Sequence, residues 1–581
     1  MALTPFPFAS ARPLALLCAV APMLLLVGPA GASDAPPEIA ITLAPAAPDN
    51  ARNIPWVDVT IVAQDVHRKP GEPLFRLALE ANTVITSAAD IQGLTITDAK
   101  GGIAAPTSDV VEDSSNRTRI WQAPRAVNGA VTVHYRVPID AAAPPLARPQ
   151  YEMRTEQGIF SASGNAFVMA PADATDRRAR VRWDFSAYGA GGVGVSSLGV
   201  GDAVSSEPLA AGRLDSVYYM GGTPGVYRAD TDGFFAAWQG TPPFPAEPLM
   251  RWAADLHRYY GSFFGETPPS FGVFGRTNMR NPGSGIGLTD SFAFTFNHTS
   301  KPQDLRSLLA HEMLHSWVRS LDESMDAAGG LDRSWFGEGL AVYYQRALPY
   351  RAGMISAADF LADLNETAGR YYTNIKIAVP NAQIPEGFWR DTRIRVLPYD
   401  RGSLYFAKLD ADIRATSGGR RSLDDLVRAM LAARRAGTPM NEALFRSLLQ
   451  AELGEPGGAG LDAMLAGKTI VPPSTAFGPA FRRTTRQLRR FDLGFDPASL
   501  LAKQKIVHGL VPGSSAAAAG LKEGDEILNT FSQDGLQGDQ QAWLELDVRR
   551  GGEMLHLRYQ PRGESVKAYQ WEPAAAPRPA R

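Results

Sequence analysis

Hydrophobic and polar positions alternate in short runs over the first part of the chain, as in Trp56 to Val62, Ala130 to Val137 and Ala179 to Phe185. A period of two sends one face of each run toward a core and the other toward solvent, and the Pro, Gly and Asp clusters between runs supply turns. The pattern predicts an antiparallel β domain reaching to about residue 228. From about Asp232 the period lengthens. Met250 to Phe264 is amphipathic at helical spacing, and the strand-like runs Ser270 to Phe274 and Ser291 to Phe296 bracket a glycine-rich stretch. Helical patterns then dominate around 357–372, 402–416, 422–433 and 441–453. They predict a helical lobe facing a small β lobe across a cleft suited to an extended peptide.

Within the helical part, 300–320 reads as one helix. Ser300 suits the N-cap, Pro302 the first turn, Asp304 the positive helix end, and Leu305 with Leu309 an anchoring stripe. The neighbouring stripe carries His311 and His315, with Glu312 between them. Imidazoles four residues apart share a face and can reach one ion, while Glu312, offset around the helix, can address a water on that ion. Catalytic zinc takes three protein ligands and keeps one open position. Glu338 is the candidate third ligand, 23 positions after His315 in the run Ser334 to Tyr344 and flanked by Gly337 and Gly339. The competing readings are a buried helix with two incidental histidines, and Glu338 as a helix-start acid favoured by the dipole.

These two segments resemble the glycyl aminopeptidase family of gluzincin zinc metallopeptidases. The resemblance rests on the helix motif followed by Ser316 and Trp317, on Trp335 to Gly339 followed by Tyr343 and Tyr344, and on Tyr399-Asp400-Arg401-Gly402, which is similar to the family's Tyr-x-Lys-Gly segment. It implies a multidomain α and β chain. A signal peptide at 1–32 would precede an N-terminal antiparallel β domain at 33–228. A mainly helical thermolysin-like catalytic domain with a small β lobe would follow at 229–478, then a PDZ-like domain at 479–570 and a disordered tail at 571–581. It further implies Zn2+ on His311, His315 and Glu338, Glu312 as the general base, and Tyr399 as the oxyanion donor, with Tyr343 and Tyr344 competing for that role. Asp322, Glu323 and Asp332 are guesses for a carboxylate behind a ligand imidazole.

One segment departs from the family. Its members carry Gly-Gly-x-Glu-His on a cleft-edge strand, whose glutamate recognises the substrate amino terminus; here the stretch is Gly285-Ile286-Gly287-Leu288-Thr289-Asp290. Gly285 and Gly287 fit a strand that aligns a substrate backbone, and Asp290 is the remaining carboxylate that could attract an ammonium. An aminopeptidase and an endopeptidase both fit this edge. Further on, Phe491 to Phe495, Val511 to Ala516 and Gly520 to Leu528 resemble a bacterial-type PDZ domain. Leu493, Gly494 and Phe495 would then form a loop whose amides receive the terminal carboxylate of a peptide ligand. The other reading is a module that only packs on the catalytic lobe.

Composition narrows the remaining classes. The 581 residues are 45% apolar and 20% charged with a net charge of -2, so nothing in the balance points to nucleic acid. The arginine-rich pieces Arg177 to Arg182 and Arg482 to Arg490 read as solvated strand and linker faces. No heptads, phosphate loop or internal repeat is present to support a coiled coil or a nucleotide site. Arg12, the apolar segment Pro13 to Val27 and Ala30-Gly31-Ala32 read as a secretory signal cleaved after Ala32, which places the chain in the periplasm or outside the cell with no stable membrane insertion. Cys18, the only cysteine, lies inside that segment, so the mature chain would have neither disulfides nor a thiol nucleophile. The sequence thus predicts an exported zinc peptidase acting on peptides or proteins, aminopeptidase-like or endopeptidase. The rival is an inactive, PDZ-containing binding scaffold.

Overall fold

The computed structural model describes residues 35–574 apart from 83, 114, 143–150, 230–232, 267–269, 280, 324–329 and 503. The expected signal segment lies outside the described residues. In the N-terminal region the alternation does what its period dictates. Along the strand Trp56–Arg68 the side chains of Val57, Val59, Ile61 and Ala63 are fully buried while their neighbours face outward. That strand pairs antiparallel with Glu38–Pro45 on one side and Val127–Pro138 on the other, inside a seven-stranded sheet. The expectation of a purely antiparallel domain needs correction: Glu38–Pro45 runs parallel to Arg177–Trp183. Parallel pairing requires a long crossover, and the chain between these strands supplies it. Arg177 is not a solvated residue either. It is buried at 2% exposure, with its guanidinium on Asp173 and on the carbonyls of Gln64 and Asp65. Helix α1 (Ala211–Asp215) leads into the strand Tyr218–Gly222, which pairs with Ile159–Ser163 and Val193–Ser196 and ends this region.

The next sheet packs on the helical lobe and begins a few residues before 229. Gly225–Arg228 pairs with Phe234–Gln239, which is followed in the sheet by Phe271–Thr277, Ser291–Phe296 and, at the edge, Gly285–Leu288. Against it lies α2 (Ala246–Phe264), whose buried Leu249, Ala253, Leu256 and Tyr260 repeat at helical spacing and which ends on Gly265 in the left-handed conformation. The helical lobe follows as α3 (Pro302–Leu314), α4 (Ser334–Arg351), α5 (Ala357–Thr373), α6 (Ile384–Gly387), α7 (Thr392–Arg395), α8 (Leu397–Ser417), α9 (Leu423–Arg435), α10 (Glu442–Leu453) and α11 (Glu455–Leu465). One core of aromatic and aliphatic side chains joins α2 to α11 and the inner face of the sheet. No helix among the described residues is long and apolar enough to cross a membrane.

The last region is a small β module with its own core of Leu493, Phe495, Val507, Ile527, Leu546 and Val548, and short helices α12 (Ser515–Ala518) and α13 (Gln533–Gly538). Its base is a two-stranded ribbon, Phe481–Phe491 with Arg562–Pro573. The ribbon continues beyond 570, where a tail was expected. Trp571 is 2% exposed and its backbone is gripped by Asn365 of α5 through Asn365 Nδ2 to the Trp571 carbonyl, 2.8 Å, and the Trp571 amide to Asn365 Oδ1, 2.7 Å. Burial of an indole outweighs the Pro and Ala composition that follows it.

Candidate metal centre

The metal helix is shorter than its pattern suggested. Pro302 does take the first position, but Ser300 is not the cap; its hydroxyl is tied to Asn297 in the preceding turn, and Lys301 stands at the N-cap without a side-chain bond. At the other end the amides of His315, Ser316 and Trp317 bond carbonyls three residues back, so the last turn tightens and the chain leaves the helix after Leu314. Trp317 explains the exit. It is fully buried against Phe264 and Tyr260 of α2, which a continued helix would not allow.

His311 and His315 nevertheless remain one turn apart on one face, and α4 brings Glu338 to them. His311 Nε2 lies 3.0 Å from Glu338 Oε2 and 3.3 Å from His315 Nε2, and His315 Nε2 lies 3.7 Å from the same carboxylate oxygen. Three donors on a tetrahedral zinc, with bonds of about 2.0–2.2 Å, stand roughly 3.3–3.5 Å apart. The triangle therefore fits that ion. The far side of each ring supports the fit: His311 Nδ1 meets Gln345 Oε1 at 3.0 Å and His315 Nδ1 meets the Val318 carbonyl at 3.2 Å. Both partners are acceptors, so each Nδ1 carries a proton and each Nε2 is directed at the centre of the triangle. Electrostatics agree. Burial opposes a charge on His315, but the hydrogen bond and charge of Glu338 raise it to about 9, while the same imidazoles hold Glu338 at about 2 despite its burial. The site is tuned for positive charge. His311, His315 and Glu338 form the candidate metal cluster found among the described residues.

Gln345 was not anticipated. It stands seven residues after Glu338, two turns along the same face of α4, and its amide is oriented by Nε2 donating to Asp363 Oδ2 at 2.8 Å. Asp363 in turn binds the buried Arg346, whose guanidinium also reaches Ser403 and Thr367. Of the carboxylates guessed for this place, Asp322 instead pairs with Arg333, the side chain of Glu323 lies outside the described residues, and Asp332 only receives Asn381 on its backbone carbonyl.

Glu312 sits beside the triangle. Burial raises its pKa, opposed by His311 and His315. A Cβ built on Gly287 would lie 3.7 Å from Glu312 Oε2, so the glycine face of the edge strand borders the general-base candidate. Gly285 is two residues along that face and lies over the Phe292 ring. Asp290 goes elsewhere. It occupies the hairpin turn at φ +46° and pairs with Arg213 of α1 at 3.0 Å, while the Thr289 hydroxyl donates to the Arg213 carbonyl at 2.7 Å.

Tyr399 is the phenol that reaches the site. Its ring stacks over His311 with centroids 6.1 Å apart and 20° between planes, and burial, with Glu338 and Glu312 nearby, keeps it protonated well above the usual tyrosine range. Tyr344 instead donates to Asp424 at 2.9 Å, and Tyr343 packs edge-to-face against Tyr344. The residues after Tyr399 explain its position. Asp400 is fully buried on the Arg370 guanidinium at 2.6 and 2.8 Å, and Arg401 is held by the carbonyls of Ile377 and Val379. Gly402 meets Gly339 where α8 crosses α4. A Cβ on Gly339 would come within 2.6 Å of Gly402 Cα, so only two glycines permit this approach.

The PDZ-type loop does not present an open cradle. The Gly494 amide donates to Asp492 Oδ1 at 2.8 Å, the Leu493 carbonyl accepts from Tyr559, and Leu493 and Phe495 are buried in the module core. After Phe495, Asp496 caps a one-turn helix at Pro497–Leu500 where a peptide-pairing strand would be needed. In the expected groove at Leu493, Gly494 and Phe495 the central donor is thus bonded internally.

Residues 304–382, which hold the metal triangle and Gln345, match the family model of the M61 glycyl aminopeptidases. No curated protein matches the chain. Among solved structures, an aminopeptidase N family protein from Idiomarina loihiensis is 16% identical, with a TM-score of 0.63 over 92% of this chain and 98% of that one, a likeness of fold. An M1 zinc metallopeptidase from Deinococcus radiodurans is 14% identical, with a TM-score of 0.43 over 75% and 94%. The family match supports a peptidase, and the His-His-Glu cluster is a site that could hold a metal ion.

Proposed function

We propose that this chain is an exported zinc-dependent peptidase of aminopeptidase type that hydrolyses peptides lying along the Gly285–Leu288 edge strand. The observation that carries the reading is the meeting of His311, His315 and Glu338 within 3.7 Å of one another, with Glu312 and Tyr399 beside them. The chemistry that a zinc ion held on these side chains supplies is Lewis acidity, which makes water a nucleophile near neutral pH. Glu312 takes the proton of the attacking water on its carboxylate and returns it to the leaving amine. Its raised pKa brings it nearer the pH at which one group can do both. Tyr399, neutral and donor-capable, gives a hydrogen bond to the oxygen that gains charge. The unpaired side of the edge strand offers backbone groups to an extended substrate, and Gly287 leaves the space beside Glu312 clear while Gly285 makes room for the Phe292 ring.

Endopeptidase action is the second reading, and Asp290 favours it: a carboxylate paired with Arg213 offers less to a substrate ammonium. Export rests on the signal-like segment alone. Free and amino-acetylated versions of a peptide pool separate the two activities. The aminopeptidase reading expects sequential release of amino-terminal residues from free peptides and none from acetylated ones; internal cleavage of both at equal rates would overturn it.

A further inference from the structure

The C-terminal module touches the catalytic lobe at the segment that carries Tyr399. Helix α7 ends at Arg395 and α8 begins at Leu397, with Val396 between them at φ −78° and ψ −12°, so the two run on almost without a break. A movement of α7 is therefore passed to Tyr399 within one turn. Asp534, in the first turn of α13, accepts from Arg395 Nη2 at 3.0 and 2.9 Å on its two oxygens and also receives the Thr392 hydroxyl. Gln537, one turn later, donates to the same Thr392 oxygen at 3.1 Å, and its side chain is buried in the joint. Gly538 lies directly on Glu366 of α5, with no room for a Cβ. One short helix of the module thus holds α7 by its first and last residues.

We propose that Asp534 is a positioning residue for Tyr399: by clamping Thr392 and Arg395 it fixes the α7–α8 junction and with it the phenol over His311. This rests on the role given to Tyr399 above. The module is then a brace for the active site, which agrees with the internally satisfied Gly494 loop. The brace does not depend on Asp534 for attachment, because the Asn365–Trp571 grip and the bond from Arg490 to the Thr373 carbonyl remain.

The test compares Asp534→Ala, Asp534→Glu, Tyr399→Phe and the double variant Asp534→Ala/Tyr399→Phe in the full-length chain. The readouts are kcat, KM and bound zinc on a peptide substrate, with amide hydrogen exchange of 392–402 in zinc-free and zinc-loaded protein. Tyr399→Phe is expected to lower kcat about 100-fold. Asp534→Ala is expected to lower kcat about tenfold with KM and zinc content unchanged, and to speed exchange in 392–402. Asp534→Glu recovers most of the loss, and in the Tyr399→Phe background Asp534→Ala costs nothing further. Thr392→Val probes the same joint from the catalytic side if the module tolerates no change at Asp534. Unchanged kcat and exchange in Asp534→Ala and Thr392→Val, beside a normal loss in Tyr399→Phe, would overturn the clamp alone. Losses that multiply in the double variant would do the same. An unaffected Tyr399→Phe would remove the role of Tyr399 itself, and the clamp with it.

Discussion

The metal-motif helices and the C-terminal module were each announced by a short motif, and only the first brings its motif side chains together around one point in the fold. His311 and His315 meet because their geometry is internal to one helix: four residues of separation fix both rings on one face whatever surrounds them. The Leu493-Gly494-Phe495 loop would have worked through backbone amides, and a neighbour two residues away took the central one. Motifs built from side chains on one rigid element survive a change of context. Motifs built from backbone donors hold only while adjacent carboxylates leave those donors free.

The sharpest way to break this contrast is Glu312→Gln. It should lower peptide hydrolysis about 1000-fold while zinc content stays at wild type, as measured by metal analysis beside initial rates. Retained activity would separate the motif from the chemistry. Next is Gly402→Ala, whose methyl would meet the Trp335 carbonyl and the Gly339 backbone. A loss of about 1–3 kcal/mol in denaturant unfolding is expected, with activity falling as Tyr399 is pushed off His311. Gln345→Leu removes the acceptor behind His311 and should weaken zinc binding about 10–100-fold in a chelator competition. The same titration carries a sign for pH. Zinc must displace the proton that Glu338 holds on His315 up to about 9, whereas Glu338, at about 2, is already ionised. Affinity should therefore rise as pH climbs toward about 9 and fall below it, with proton release on binding. The smallest effect belongs to the module: Asp492→Ala frees the Gly494 amide at a cost of about 1 kcal/mol in stability. Peptides ending in a free carboxylate should bind Glu312→Gln no more tightly than their C-terminally amidated counterparts by calorimetry.

Local periodicity carried much of the fold. The strand Ser291–Phe296 has the bounds its residues suggested, and α5 starts where Ser356 and Asp359 form a reciprocal cap one residue ahead of the helical pattern. The direction of pairing was not legible, because a period of two is the same for parallel and antiparallel strands; hence the Glu38–Pro45 and Arg177–Trp183 pair. Helix ends were obscured where a tertiary contact decided them, as Trp317 did for α3. In the site, the convergence of His311, His315 and Glu338 and the nearness of Tyr399 could be read from their motifs, while Gln345 could have been found by counting two turns on from Glu338. Asp534 could not. It lies 139 positions from Arg395, and only docking of the module brings them together.

The most direct test of the whole account is anomalous X-ray scattering at the zinc edge from crystals of the zinc-loaded chain. The account predicts one peak at the point shared by His311 Nε2, His315 Nε2 and Glu338 Oε2, about 2.0–2.2 Å from each. A peak bound elsewhere, or a Glu338 carboxylate turned away from the two imidazoles, would contradict it.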